Sequence, residues 1–473
     1  MPQGRSHAGT FMPLLHRLVE DGHNVTVYFD IYRPELPLGG GVEENLVLIK
    51  GLDLSIDNDA EFANMVWNGE VGVVGGLFPF YPSSLSCQHL LKHQANDFWR
   101  LANQSWDLVL TDSLFAPCGY AIALNNGKPA VIMHATDLEN VFAYYSSYGR
   151  NPVLSPPLFL YDTMEWNISN FYDRYTSIRD AVKSLMLVDF AISNLIRWTI
   201  RSIGDFTFSE YVGQAAFSFY DFPHSIGWTV PLANDIISYG MSCKKPKPLT
   251  GKYAKFVSDP KSRGTILIAF GTITNWDFAP KRVVDAIVGA LNELTDYRII
   301  WGYKGPKLDV KDHIMLDEWL PQFDILSDPR TKLFISHGGL KSMKEAICSE
   351  TPVVYVPLFA EQVRNAWLAK THSFAEVIDK KTLTAGSVER NIRKVIEDDS
   401  YSKAVKRVRS IFDDRPISSL DDGSFWVQRL LKYNGKLPGY FYRTSARNSI
   451  FHHFYMDIGI LILVSFCFVA FQK

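Results

Sequence analysis

The chain has no cysteine framework. Its 473 residues include five cysteines, Cys87, Cys118, Cys243, Cys348 and Cys467. No CxxC pair occurs among them, which removes a zinc ribbon and a thioredoxin-type motif. An excess of one charge is also missing. Lys plus Arg number 48 and Asp plus Glu 50, a net charge of −2, so no global basic field exists to hold nucleic acid. Internal repeats and low-complexity runs are absent. Wholesale disorder is excluded, because 47% of the residues are hydrophobic and 21% charged, ordinary globular values. The N-terminal MPQGRSHAGTFMPLLHRL has no charged segment leading into an apolar one, so it does not read as a secretory signal.

Aromatic residues are plentiful at 14%, with 11 Trp, 22 Tyr and 31 Phe. That suits apolar pockets and membrane contact as well as core. Residues Phe454–Phe471 (FYMDIGILILVSFCFVAF) are apolar apart from Asp457 and Ser465. This length is near the short limit of roughly 17–25 residues for a spanning helix, and the segment reads as a single membrane anchor. Asp457 would face water at one end, with Phe454 and Tyr455 at the interface. Cys467 falls inside it, which leaves at most two disulfides among the other four cysteines. The chain ends disagree about location. An anchor without a leader reads as tail-anchored and cytosol-facing, and Arg443 and Arg447 before it, against Lys473 after it, agree weakly. Sequons at Asn24, Asn103 and Asn167 point to a luminal chain, although Asn24 sits in a strand-like run and carries little weight.

Thr10–Asp21 places Phe11, Leu14, Leu15, Leu18 and Val19 at helical spacing, with Gly22 as a stop. His23–Phe29, Trp106–Thr111 and Pro129–His134 read as short strands with helical stretches between them. Residues 150–230 are aromatic-rich and less periodic. Cys243–Lys252 (CKKPKPLTGK) reads as a linker. A second α/β half follows, with strands at Thr265–Phe270, Tyr297–Trp301, Lys332–Ser336 and Pro352–Val356 and helices at Lys281–Leu294 and Lys341–Cys348. Two such halves imply parallel sheets covered by helices, with a ligand cleft at the strands' C-terminal ends.

One stretch carries most of the chemistry, KLFISHGGLKSMKEAICSETPVVYVPLFAEQVRN from Lys332 to Asn365. A buried strand ending in Ser336 runs into His337-Gly338-Gly339 and then a helix. The glycines let backbone approach a bulky ligand. The helix start aims N–H groups and a positive dipole end at the turn, which suits a diphosphate. Lys341 and Ser342 add a cation and a hydroxyl, and Glu345 can accept from a ribose diol. Upstream, Trp319 offers a flat face to a base and Gln322 can pair with its edge. Downstream, Glu361 and Gln362 end another strand where sugar hydroxyls can bind.

The pieces EWLPQ, FISHGG, EAI, TPVVYVPLF, EQ and Asn365 together resemble the signature of the UDP-glycosyltransferases, particularly the membrane-anchored UDP-glucuronosyltransferases. The likeness runs from about Gly4 to the end and is strongest over residues 260–370. Gly271-Thr272 looks like the family's Gly-Ser/Thr turn near the phosphates, and Trp301 matches a strand-ending Trp. The resemblance implies an α/β fold of two facing Rossmann-like domains (GT-B). We divide it into an N-terminal acceptor-binding domain over residues 1–242, a linker over 243–262, a UDP-sugar-binding domain over 263–450 and a transmembrane anchor over 454–471. It also implies a catalytic base, His7 in Ser6-His7, oriented by Asp112 ahead of Pro117-Cys118. The expected reaction is inverting transfer of glucuronic acid or another hexose from a UDP-sugar to a small lipophilic acceptor. No metal or cofactor is expected, and self-association stays open. The location implied is the endoplasmic reticulum membrane, with a luminal, glycosylated catalytic part.

Three departures stand out. Lys341 replaces the family's usual Asn, and Glu361 its usual Asp. The signal peptide and first strand before Ser-His are not in this sequence, which suggests a shortened N-terminus. These motivate the alternative of a non-catalytic UDP-sugar-binding or partner-modulating relative. Asp57-Asn58-Asp59 is the one DxD and reads as a solvated turn. Phe78, Phe80, Tyr81, Trp166, Phe171 and Tyr172 can line a pocket or fill a core, with core favoured.

Overall fold

In the computed structural model the described residues are 5–31, 41–52, 60–69, 78–137, 142, 156, 166–228, 230, 232–441, 450–453 and 455–471. Helix α1 (Arg5–Glu20) buries Phe11, Leu14 and Leu18, the apolar face read from the sequence. It starts five residues before the expected Thr10 and takes His7 into its first turns. Gly9 and Pro13 look like breakers, yet the helix runs through both. Pro13 costs it one donor, because it has no N–H for the Gly9 carbonyl.

Strands β1 (Thr26–Ile31) and β2 (Glu43–Leu48) pair in parallel. Then come α2 (Ala60–Asn68), α3 (Phe80–His93) and α4 (Ala95–Ala102). A parallel four-stranded sheet follows, in the order β3 (Leu110–Asp112), β4 (Val131–His134), β5 (Phe217–Tyr220) and β6 (Ile236–Ser238). Strand β3 is shorter than the expected Trp106–Thr111. The Trp106 N–H goes to the Asn126 side chain instead of a neighbouring strand. Helices α5 (Pro117–Asn126), α6 (Phe171–Met186), α7 (Ser193–Ile200) and α8 (Phe208–Gln214) pack around this sheet. Of the six aromatics left between pocket and core, Phe80 is buried in the core, while Tyr81, Phe171 and Tyr172 are exposed.

The second half opens with α9 (Gly251–Val257), which forms inside the stretch expected to be linker. A six-stranded parallel sheet follows in the order β12-β11-β10-β7-β8-β9. Its strands are β7 (Thr265–Ala269), β8 (Arg298–Gly302), β9 (Ile314–Asp317), β10 (Thr331–Ser336), β11 (Val353–Tyr355) and β12 (Ala375–Val377). Every residue of β7 is buried, as a strand covered on both faces requires. The helices of this half are α10 (Lys281–Glu293), α11 (Gln322–Leu326), α12 (Leu340–Cys348), α13 (Gln362–Thr371), α14 (Ala385–Glu397) and α15 (Asp399–Phe412). Last come α16 (Ser419–Lys432), α17 (Ile450–His453) and α18 (Met456–Phe471).

Each half receives a helix from the other. Val427 and Leu430 of α16 share a core with Leu14, Leu18, Phe219 and Tyr239, and Gln428 donates to Asp21 at 3.0 Å. In return Phe62, Val66 and Trp67 of α2 join Ile266, Ile268 and Trp301. Two disulfides staple the chain, Cys87–Cys118 between α3 and α5 and Cys243–Cys348 from the segment before α9 to the end of α12. Among the described residues no helix is long and apolar enough to cross a membrane. Helix α18 has 16 residues and leaves Leu461, Leu463, Phe466 and Phe468 exposed.

Candidate active site

Asp112 is the last residue of β3, at the strand's C-terminal end, where ligands gather in parallel sheets. Its carboxylate is 3.0 Å (Oδ2) and 3.3 Å (Oδ1) from Nδ1 of His7. The Leu114 N–H donates to Oδ1 at 3.2 Å. The His7 side chain is 14% exposed and that of Asp112 2%, so the pair meets almost out of water. Phe115 presents an edge to the imidazole, 5.0 Å between centroids. A proton on Nδ1, donated to the carboxylate, puts the lone pair on Nε2. A base oriented by a carboxylate is thereby assembled, and the carboxylate stabilises the imidazolium after proton transfer. Ser6 beside it is helical, and its side chain lies outside the described residues.

Three loops from the second half meet around His337. Gly271 after β7 has φ +73°, and a Cβ there would fall 2.9 Å from the His337 ring. Thr272 follows it, exposed. Gly338 has φ +91°, and a Cβ there would fall 2.7 Å from the Gln362 carbonyl. Glycine at both positions lets three strand ends converge. Asn365 of α13 holds the turn, its Nδ2 donating to the Gly338 carbonyl at 3.0 Å. Gly339 caps α12 without a side-chain hydrogen bond, so the helix start keeps N–H groups for an anion. Ser336 is fully buried beneath.

Burial pushes His337 down to about 4. Without a bound anion it is therefore neutral at pH 7, with a ring N–H to offer as a hydrogen-bond donor. The positive charge comes from Lys341. Burial lowers its pKa, Lys244 and Lys344 lower it further, and Glu345 and Asp221 oppose them. Its ammonium reaches α1: a Cβ on Gly9 would fall 2.6 Å from Lys341 Nζ. The cation beside the His337 turn thus touches the helix that carries His7.

Gln322 Nε2 donates to Glu345 at 2.6 Å and approaches Ser342 Oγ at 3.4 Å, so the residues read as base and ribose contacts lie together. Trp319 is 64% exposed, leaving a ring face for a base. Glu361 is half-buried at the start of α13. Gln362 is buried, and its Oε1 accepts from the N–H groups of Leu358 and Phe359 at 2.9 and 3.1 Å. Its carbonyl therefore holds the loop, and Nε2 alone is left for a sugar hydroxyl. Among the described residues no three His, Cys, Asp or Glu side chains come together as metal ligands. Asp57-Asn58-Asp59 lies outside the described residues.

Several residues that shape the cleft carried no signal in the sequence reading. Arg364 Nη1 donates to Asp137 at 2.7 Å across the halves, with its guanidinium 4.5 Å from the Trp228 ring. Lys344 bonds the buried Asp221 carboxylate and the Gly240 carbonyl. Lys380 is 7% exposed and bonds three backbone carbonyls. One pattern could have flagged the first two: Lys344 and Arg364 are charges on helices that directly follow signature strands.

Rat UDP-glucuronosyltransferase 1A3 is 26% identical over 399 residues, 80% of this chain and 70% of its own. UDP-glucosyltransferase 2 of Dactylopius coccus is 29% identical over 268 residues, 56% of this chain and 50% of its own. Among solved structures, the glycotransferase of kitacinnamycin superposes with a TM-score of 0.60 at 16% identity, covering 92% of this chain and 97% of that one. At that identity the likeness establishes the shared GT-B fold alone. The model of the family "UDP-glucoronosyl and UDP-glucosyl transferase" matches residues 80–472, and the chain belongs to that family.

Proposed function

We propose that this protein transfers a hexosyl group from a UDP-sugar to a hydroxyl of a small lipophilic acceptor, with inversion. The observation that carries this reading is the 3.0 Å contact between His7 Nδ1 and the buried Asp112 carboxylate. His7 Nε2 takes the acceptor proton as the oxygen attacks the anomeric carbon. The bond from that carbon to the UDP oxygen breaks, and its electron pair stays on the diphosphate. Lys341, Thr272, Ser336, His337 and the start of α12 stabilise that charge as it grows, being fixed before the reaction. These donors supply the stabilisation that a metal would give. Trp319, Gln322, Ser342 and Glu345 hold the nucleoside, and Glu361 with Gln362 Nε2 holds the sugar.

The test is sugar transfer from UDP-glucuronic acid, UDP-glucose and UDP-N-acetylglucosamine to a panel of phenols by the full chain. His7→Ala should lower turnover by about 10²–10⁴-fold and leave UDP affinity unchanged. Turnover intact in that variant would remove His7 as the base. A wild-type protein that UDP stabilises but that transfers no sugar would instead be the non-catalytic binder.

Location follows by the same kind of reading. The two disulfides favour an oxidising compartment. Asn103 and Asn167 are both exposed and open to glycosylation. Helix α18, apolar over its 16 residues apart from Asp457 and Ser465, spans about 24 Å at 1.5 Å per residue. Slight bilayer thinning then lets it anchor the chain in the endoplasmic reticulum membrane. Endoglycosidase sensitivity at Asn103 or Asn167 would support the luminal arrangement. A membrane-bound protein without glycan would favour a cytosol-facing one.

A further inference from the structure

The loop that carries Glu361 is held from two sides. The N–H of Leu358 donates to Gln362 Oε1 at 2.9 Å, and its carbonyl accepts from Lys380 Nζ at 2.5 Å. The same ammonium donates to the carbonyls of Val66 at 2.6 Å and Gly69 at 3.2 Å. An ammonium has three donors, and all three carbonyls lie within its reach. Val66 lies in the last turn of α2 and Gly69 just beyond it, where helix carbonyls lack partners and a cation is favoured. Lys380 thus ties a helix of the first half to a binding loop of the second.

The rest of α2 reaches the same loops. Phe62 meets Phe359 edge-on at 5.7 Å and stacks on Phe78 at 4.1 Å. Trp67 is 1% exposed, and its Nε1 donates to the Asn275 carbonyl at 3.1 Å. Asn275 belongs to the loop that begins with Gly271-Thr272. One helix therefore braces the loop after β7 and the loop after β11. The nucleoside contacts Trp319, Gln322 and Glu345 lie on other elements, which α2 does not touch through these bonds.

We propose that α2 is a wall at the sugar end of the donor site, and that Lys380 is the positioning residue that seats it. This rests on Glu361 and Gln362 facing the sugar, as read above. Selectivity between donor sugars then depends on a helix of the acceptor half, through the Phe62–Phe359 contact. Without Lys380, the Leu358 carbonyl loses its donor and α2 loses its C-terminal cation, so the Glu361 loop shifts while the nucleoside contacts stay in place.

Equilibrium binding to the full chain tests this without needing turnover, with UDP, UDP-glucose and UDP-glucuronic acid as the probes. Lys380→Met should weaken whichever UDP-sugar the wild type binds by about tenfold or more, with UDP itself changed by less than about twofold. Lys380→Arg should restore part of the loss, because it keeps a cation. Phe62→Leu, which leaves the Lys380 bonds in place, should alter the ratio between the two UDP-sugars and again spare UDP. Equal weakening of UDP and UDP-sugar, or a fall in melting temperature with both affinities unchanged, would reduce α2 to a packing element and overturn the proposal. A wild type that binds UDP-sugar but transfers none would sink the enzymatic reading and leave this one decided by the same titrations.

Discussion

Arg364 and Asp137 form an ion pair across the cleft at 2.7 Å, with only 3% and 9% of their side chains exposed. Arg364 stands in α13 one turn after Glu361, and Asp137 follows β4. The link joins the start of α13 to the loop after β4 in the first sheet. A buried pair broken on one side leaves an uncompensated charge. Asp137→Ala should therefore destabilise the protein by about 3–5 kcal/mol, read by chemical denaturation. The double change Asp137→Ala with Arg364→Met should recover much of that loss, since apolar replacement of both partners is often neutral.

His337 makes stability depend on acidity. Its folded value of about 4 lies below the ordinary 6.5, so the unfolded chain binds the proton more readily. The contribution is complete above about pH 6.5, falls as the pH drops toward 4 and does not change further below that. At 1.36 kcal/mol per unit it amounts to about 3 kcal/mol. Asp221, raised to about 6 by burial, acts in the opposite sense over an overlapping range. Subtracting the profile of His337→Gln from that of the wild type isolates the histidine, because both proteins keep Asp221. A flat difference between pH 6.5 and 4 would refute the assignment.

Gly9 of α1 faces Lys341 of the second half. Gly9→Ala should raise the intrinsic stability of α1 by about 0.5–1 kcal/mol. Its methyl group would lie 2.6 Å from Lys341 Nζ, so the flexible ammonium must withdraw. The expected result is a higher KM for the UDP-sugar in a protein that melts no earlier. An unchanged KM would show that Lys341 does not hold the diphosphate from this position.

Cys243 and Cys348 close a loop with a sequence separation of 105, against 31 for Cys87 and Cys118. Loop-closure entropy then makes the longer bridge worth about 1 kcal/mol more, from totals of about 3–5 kcal/mol each. Paired Cys→Ser variants compared by denaturant midpoint should rank in that order.

Much of this site was legible in the amino-acid sequence. The turn at His337 with its glycines, and Gln322 and Glu345 as site residues, are local patterns, whereas the pairing of His7 with Asp112 across 105 residues was implied by the family resemblance alone. Four strands of the second sheet were visible as apolar runs, while β9 and β12 lie at opposite edges and lack such a run. What stayed hidden is long-range. The Lys380–Val66 bond spans 314 residues and the Arg364–Asp137 bond 227. Neither lysine nor arginine announces burial, since both normally face water. Gln362 was legible as a site residue, but its grip on the Leu358 backbone depends on Ala360 at φ +54°, a conformation that sequence does not flag in alanine.

The exchange of α2 and α16 between the halves bears on how such a protein can be recombined. A cut near residue 242 would strip the first sheet of the helix that covers Leu14 and Leu18 and leave the second core open where Trp67 sat. Neither fragment would be a whole domain. A chimaera that joins the first half of one relative to the second half of another must therefore carry α16 with the first and match α2 to the second. The two cores are interleaved along the chain, and a junction chosen only by sequence order would divide them.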